Sequence, residues 1–175
     1  GNFWNNGIAI VDVATPTNPQ LLATFEDGGN PTPVTSVTAV DNRLYAQRSP
    51  FSDADQARNL MTIDLTNPAQ PQKIDEITLT GFQSNFTGAL PVHENRIIMT
   101  YGVGDVAMEM IDLADADKPT SIRTFGEPTT YYAQVVIGST LYRSTQQTVE
   151  AWDITDPNTP VQKNVWSGDD YADIL

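Results

Sequence analysis

Residues Thr62–Pro71 read TIDLTNPAQP, a short strand-like stretch that ends in an aspartate and runs into a proline-rich turn. The pattern occurs four times in 175 residues: two mainly apolar residues, an aspartate, an apolar residue, and a proline seven residues after the aspartate. The copies are Ile10–Pro19, Thr62–Pro71, Met110–Pro119 and Ala151–Pro160; their aspartates are Asp12, Asp64, Asp112 and Asp153, and their prolines are Pro19, Pro71, Pro119 and Pro160. The aspartates are 52, 48 and 41 residues apart. A constant internal spacing with variable intervals indicates a repeat protein whose connecting loops differ.

A second pattern fills the space between the copies. Two apolar runs flank a polar pair, which is Asp41-Asn42, Glu94-Asn95 or Gly138-Ser139. Asn, Asp and Gly tolerate the left-handed backbone of tight turns, so each region is predicted to be a β-hairpin. Each full repeat then contains four strands; in the second repeat these are predicted at Val34–Val40, Arg43–Gln47, Leu60–Leu65 and Lys73–Leu79.

The predicted fold class is all-β, a β-propeller built of four-stranded antiparallel blades, with about four blades in this chain. No capped stretch with a 3.6-residue apolar period argues for helices. A β-sandwich is the alternative, although a sandwich need not repeat. Residues 1–175 are expected to form one propeller or a propeller fragment. The approximate blades are 171–175 plus 1–25, 34–80, 86–125 and 132–166. Pairing of Tyr171–Leu175 with Gly1–Trp4 would close a four-bladed ring; otherwise the blades belong to a larger one.

The repeat aspartates are expected to shape turns. A carboxylate that ends a strand can accept hydrogen bonds from backbone N–H groups one or two residues further on. The prolines that follow fix φ and cannot donate to a strand ladder, so they end the strand. The apolar pair before each aspartate, such as Ile10-Val11 or Met110-Ile111, is expected to be buried between neighbouring blades. Trp152 is expected to pack in the core for the same reason.

The phrase I/V-V-D-x-x-x-P-x-x-P resembles the LVIVD repeat of secreted and surface-attached bacterial and archaeal β-propellers. The resemblance extends through all four copies and implies extracellular or cell-surface residence with a scaffold or adhesion role. Trp152-Asp153 also resembles the dipeptide of WD40 blades. The Gly-His partner of that family is absent, so a true WD40 domain is not favoured.

Composition excludes several classes of function. The 22 acidic and 9 basic side chains give a formal net charge of −13, which repels phosphate backbones and argues against a nucleic-acid partner. The chain has no cysteine and one histidine, His93, so disulfides, thiol nucleophiles and multi-histidine metal sites are excluded. No apolar run approaches the roughly 18 residues of a membrane span.

Candidate sites are few, and no catalytic residue and no firm cofactor are predicted. Asp112, Asp115 and Asp117 place three carboxylates on one loop, a weak candidate for Ca²⁺, although the spacing is not that of an EF-hand. Asn85 begins an N-x-[ST] glycosylation motif, Asn85-Phe86-Thr87. The insertion Arg48–Asn59 lengthens the first interval and is the most plausible blade-specific contact loop.

These observations favour a non-enzymatic extracellular scaffold or interaction module that presents loops to a protein or glycan partner. Further blades of the same polypeptide, or an assembly, are possible additional partners. Two alternatives stay open: the propeller domain of a secreted hydrolase or lyase, and a calcium-dependent adhesin. An enzyme would bring unlike polar side chains from different blades into one pocket. The sequence offers equivalent polar residues repeated from blade to blade.

Overall fold

The computed structural model describes residues 7–27, 34–48, 59–81, 90–101, 107–129, 131–145 and 147–167. Within these ranges every regular element is a β-strand, and there are fourteen strands in four sheets. The predicted all-β class with antiparallel four-stranded blades is confirmed. The pairing of Tyr171–Leu175 with Gly1–Trp4 lies outside the described residues.

The strands are contributed to the sheets in chain order. Sheet A contains β1 (Ile8–Asp12) and β2 (Gln20–Phe25). Sheet B contains β3 (Val34–Val40), β4 (Arg43–Arg48), β5 (Asn59–Asp64) and β6 (Gln72–Thr78). Sheet C contains β7 (Val92–His93), β8 (Arg96–Thr100), β9 (Met108–Asp112) and β10 (Thr120–Phe125). Sheet D contains β11 (Tyr131–Ile137), β12 (Thr140–Thr145), β13 (Thr148–Asp153) and β14 (Val161–Ser167).

The hairpin turns lie where the sequence predicts them, and the strands of sheet B match the predicted bounds to within about one residue at each end. The first residue of each turn has a positive φ: 51° at Asp41, 51° at Glu94 and 58° at Gly138. A repeat aspartate is the last residue of β1, β5, β9 and β13. In sheets B, C and D the sequence therefore locates the start of the second strand and the end of the third strand.

All four sheets carry the same irregularity. In each, the strand after the repeat aspartate contains one extra, unpaired residue opposite the two residues that precede the aspartate. The extra residues are Leu22, Ile74, Ile122 and Lys163. A bulge of this kind bends its strand and increases the local right-handed twist. The repeat therefore has a conserved three-dimensional shape that its sequence motif does not display.

The chain divides into two compact units. The first comprises residues 1–79, 87–89 and 115–118, and the second comprises 80–86, 90–114 and 119–175. In the first unit, Ile8 and Phe25 of sheet A pack with Met61 and Ile63 of sheet B. In the second unit, Met108 and Met110 of sheet C pack with Leu141, Trp152 and Ile154 of sheet D.

The two cores follow one rule when residues are numbered from the repeat aspartate. Positions −2 and −4 of one sheet pack with positions −1 and −3 of the next: Ile8 is at −4 and Met61 at −3, whereas Met110 is at −2 and Trp152 at −1. Position −1 is buried in sheets B, C and D, as predicted. The same prediction is wrong for sheet A, where Val11 is 45% exposed. The reason is that no described sheet packs on that face within the first unit.

Candidate functional site

The loops at one end of the strands are nearly the same in every sheet. The loop after each repeat aspartate has seven residues in all four copies: 13–19, 65–71, 113–119 and 154–160. The aspartate Oδ1 accepts a hydrogen bond from the backbone N–H two residues on, at 2.8 Å from Ala14, 2.8 Å from Thr66, 3.2 Å from Ala114 and 3.0 Å from Thr155. The proline seven residues after the aspartate stands directly before the next strand. These four loops form what we call the constant edge.

A second turn within each of these loops is also the same in the four copies. The backbone carbonyl of the residue three positions after the aspartate accepts from the N–H three residues further on; the donors are Asn18, Gln70, Lys118 and Thr159, at 2.8–3.2 Å. The residue just after the aspartate also donates to the preceding hairpin turn, Leu65 to Asn42 and Leu113 to Asn95, at 2.8 Å in both cases. Backbone hydrogen bonds therefore fix the constant edge, and the repeat aspartates act as hydrogen-bond acceptors within its turns.

Cations neutralise parts of the constant edge. Arg43 donates to Asp64 at 2.7 Å and to Asp117 at 2.5 Å, both within the first unit. Lys163 pairs with Asp153 at 3.1 Å. The side-chain and backbone hydrogen bonds from Thr155, together with Lys163, lower the pKa of Asp153 to about 2. The carboxylates of Asp64 and Asp153 are held in the charged form as parts of turns.

The three candidate calcium ligands are each engaged by the protein. Asp112 accepts from Ala114 N–H, Asp115 accepts from Asp117 N–H at 3.1 Å, and Asp117 is paired with Arg43. Over the described part of the chain, no group of three or more acidic or histidine side chains is arranged to hold a metal ion. The calcium site stays a prediction.

The opposite edge of the sheets, the variable edge, differs from sheet to sheet. The second and third strands are joined there by ten residues in sheet B (49–58), seven in sheet C (101–107) and two in sheet D (146–147). The predicted contact loop Arg48–Asn59 belongs to this edge, and its residues 49–58 lie outside the described residues. Asn85, the glycosylation candidate, also lies outside them. Loops that vary on a constant scaffold are where binding residues concentrate.

A closed ring of charges lies at the variable edge of the first unit. Arg48 pairs with Asp27 at 2.7 Å and with Glu76 at 2.9 Å; Lys73 also pairs with both, at 2.9 and 3.0 Å. Asn59 donates to Glu76 at 2.7 Å. Burial alone would raise the pKa of Glu76, but the hydrogen bonds from Lys73 and Asn59 outweigh burial and lower it. Two acids and two bases therefore fix the strand ends on either side of residues 49–58.

A buried carboxylate lies at the variable edge of sheet C. Glu109 is fully buried, and it accepts from Thr80 N–H at 3.0 Å, from Thr80 Oγ1 at 2.8 Å, from Ser121 Oγ at 2.5 Å and from the Tyr101 hydroxyl. Burial, followed by the Glu109 charge, raises the pKa of Tyr101. Four donors satisfy both carboxylate oxygens, so this glutamate ties the segment after β6 to sheet C.

Sheet D carries a buried ion pair where sheet B is apolar. Arg143, 1% exposed, donates from Nη2 to Glu150 Oε2 at 2.7 Å and from Nε at 3.1 Å. The Trp152 indole N–H donates to the same oxygen at 2.9 Å. Arg143 and Glu150 are direct cross-strand neighbours, and the strand register places Ala46 and Met61 at the same positions in sheet B. Arg143 Nη1 has no hydrogen-bond partner although it is buried.

Inspection of each repeat copy by itself does not identify Glu109, Arg143 and Glu150. Aligning the four copies on their aspartates would have pointed to the two glutamates, because position −3 reads Ala9, Met61, Glu109 and Glu150. An acid at a position that is apolar in the other copies is a departure from the repeat. Arg143 has no such signal, because it follows from strand pairing alone.

Comparisons with known proteins identify the repeat and the fold. Residues 2–27 match the LVIVD repeat family, which confirms the resemblance. The chain is similar to the crystal structure of a functionally unknown protein from Desulfotomaculum acetoxidans DSM 771, with a TM-score of 0.51 and 12% identity. The match covers 94% of this chain and 64% of that one, so this chain spans less than two thirds of its length. No curated protein matches the chain. None of the described residues forms a helix with the length and apolarity needed to cross a membrane.

Proposed function

We propose that this chain, which carries an LVIVD repeat, is a non-enzymatic extracellular interaction module that binds a protein or glycan partner through the variable edge of its sheets. The observation that carries the proposal is the division of each sheet into two unlike edges. The constant edge repeats the same seven-residue loop four times, whereas the variable edge uses connections of ten, seven and two residues. A scaffold that repeats on one edge and differs on the other is suited to recognition.

The state of the polar side chains supports binding over catalysis. A general acid or base must be able to reach its substrate and exchange a proton with it. Glu109 already accepts four hydrogen bonds, Glu76 is held by Lys73 and Asn59, and the repeat aspartates accept turn N–H groups. The formal charge of −13 is favourable for the solubility of an exported protein.

The experiment compares the two edges. Because Arg48 and Asn59 are directly paired, an Asn-Gly turn can replace residues 49–58 and close the hairpin. The purified chain and this variant are tested on a glycan array and on an array of bacterial surface proteins. The matched control is Gln70→Lys, an exposed change at the constant edge of the same sheet. We expect binding that the loop replacement abolishes and the control preserves.

Three outcomes would count against the proposal. Binding that is lost in Gln70→Lys but kept in the loop replacement would assign recognition to the constant edge. Release of new reducing ends or unsaturated products from arrayed polysaccharides would favour the hydrolase or lyase. Binding abolished by EDTA and restored by Ca²⁺ would favour the calcium-dependent adhesin.

A further inference from the structure

The connectors, which lead from the last strand of one sheet to the first strand of the next, share a contact at the variable edge. The residues two positions after the last strands of sheets A, B and C are Asp27, Thr80 and Glu127. Each of them bonds to a charged side chain in the second or third strand of the sheet that follows. The pairs are Asp27–Arg48, Thr80–Glu109 and Glu127–Arg143. Each pair lies within one compact unit.

The first and third of these contacts use different chemistry at the same position. The Asp27 carboxylate pairs with Arg48 at 2.7 Å and with Lys73 at 2.9 Å. At the third connector the backbone carbonyl of Glu127 accepts from Arg143 Nη2 at 3.4 Å. The position of the contact is therefore constant although the residue types are not, which explains why the sequence motif does not display it.

The second connector carries independent evidence of attachment. Glu109 accepts from the Thr80 N–H at 3.0 Å and from the Thr80 hydroxyl at 2.8 Å. The next residue, Gly81, lies directly against the Tyr101 ring, and a Cβ there would come within 2.2–2.5 Å of three ring atoms. Only glycine allows the backbone to approach so closely. Because the Tyr101 hydroxyl donates to Glu109, the ring cannot move aside without breaking that bond.

A glycine stands beside the bonded residue in all three connectors: Gly28, Gly81 and Gly126. Gly126 has a φ of 77°, and a Cβ there would lie 2.6 Å from Met108 Cε. Two connectors are thus held against sheet C both by a polar contact and by a close backbone approach.

We propose that these contacts are latches: one charged side chain of the following sheet holds each connector, and breaking that contact frees the connector while the strands stay paired. Connector backbone groups outside the strand ladders depend on contacts of this kind, and such segments open locally at a lower free energy than the ladders. The latches differ in their response to salt. The first joins partly exposed ions, so salt weakens it, whereas the second joins a fully buried carboxylate to neutral donors and is insensitive to salt.

The experiment is amide hydrogen exchange followed by NMR on the full 175-residue chain, because the Thr80 N–H reports directly on the second latch. The Thr80 amide should exchange more than about tenfold faster in Glu109→Gln, which offers one acceptor oxygen in place of two, and in Gly81→Ala. Amides of the β4–β5 and β12–β13 ladders should keep their rates. Glu94→Gln is the matched control, since it makes the same change in an exposed turn of sheet C; it should leave Thr80 exchange unaltered.

Two results would overturn the second latch. One is a Thr80 amide that exchanges like a free amide in the unaltered chain. The other is exchange that accelerates equally at Thr80 and in the ladders of the variants, because the residues would then support the whole fold and not one connector. If Glu109→Gln fails to fold, Gly81→Ala, which lies outside the strands, carries the test.

Salt tests the first latch against the second. The stability lost in Asp27→Asn should fall by about half or more between roughly 0.01 and 1 M NaCl, over which the Debye length shortens from about 30 to 3 Å. The stability lost in Gly81→Ala should stay constant. An Asp27→Asn cost that does not change with salt would overturn the ionic latch. None of these measurements involves a binding partner, so they stand or fall separately from recognition at the variable edge.

Discussion

The buried ion pair of sheet D should contribute less to stability than the loss of either partner alone suggests. Arg143→Met and Glu150→Met each introduce the residue found at the equivalent position of another sheet, Met99 and Met61. Removing one partner of a buried pair costs about 3–5 kcal/mol, because an uncompensated charge remains. Replacing both partners with apolar residues is often neutral or stabilising by about 1–4 kcal/mol.

The structure ranks the two single variants. The Glu150 side chain is 12% exposed and Arg143 is 1% exposed. The carboxylate that Arg143→Met leaves behind can regain some water, so the cost should be near the lower value, about 3 kcal/mol. The guanidinium that Glu150→Met leaves behind cannot, and Trp152 also loses its acceptor, so the cost should exceed about 5 kcal/mol. The double variant leaves the Trp152 indole N–H without its acceptor and the Glu127 carbonyl without its 3.4 Å hydrogen bond from Arg143, and it should lie within about 2 kcal/mol of the unaltered chain.

Urea unfolding followed by far-UV circular dichroism measures these differences in unfolding free energy. The m value, which is the slope of that free energy against urea concentration, should be the same in all variants. The double-mutant cycle should give a favourable coupling of at least about 3 kcal/mol. If Glu150→Met fails to fold, the difference in unfolding free energy between Arg143→Met and the double variant still tests the reasoning. A double variant as unstable as the sum of its singles would refute the reasoning, as would an Arg143→Met variant that unfolds like the unaltered chain.

Further predictions concern the constant edge and the hairpin turns. The pKa of Asp153, about 2, lies below its unfolded value, so its contribution to stability is present above roughly pH 4 and is lost as pH falls toward 2. Thr155→Val should raise that pKa, which carboxyl ¹³C NMR titration detects; an unchanged midpoint would contradict the assignment. Glu94→Gly should stabilise the chain by about 0.5–1 kcal/mol, because relief of a positive φ outweighs one surface ion pair. Gly138→Glu should destabilise it by about 1 kcal/mol, for backbone reasons alone, since a Cβ there meets nothing within 4 Å. The melting temperatures of Glu94→Gly and Gly138→Glu test these two predictions, and shifts of the same sign would contradict them.

The sequence predicts the strands and turns well because local chemistry determines them. A strand that ends in Asp and runs into Pro has few backbone alternatives, and Asp41 or Gly138 can occupy a left-handed turn that most residues avoid. The bulges at Leu22 and Ile122 are not predictable in this way. They depend on which strand pairs alongside, and no residue type at those positions requires them.

Burial and the variable edge are the parts that sequence could not supply. An apolar pair such as Ile10-Val11 shows that a face can be buried, but not that a neighbour is present to bury it. The partners of Glu109 come from Thr80 and Ser121, which are 29 and 12 residues away in sequence. A carboxylate satisfied over such distances looks, in sequence, the same as one that is free.

The uniform seven-residue loop has a consequence for how such a chain can change in evolution. Each loop is held mainly by hydrogen bonds within itself and to the adjacent hairpin turn. A genetic crossover between two of these loops would join the third strand of one sheet to the fourth strand of another through a junction that already exists elsewhere in the chain. Sheets can thus be duplicated, deleted or exchanged together with their variable loops, without the need for a new turn. Repeat number and variable loops can then diversify by recombination, while point mutation refines each copy.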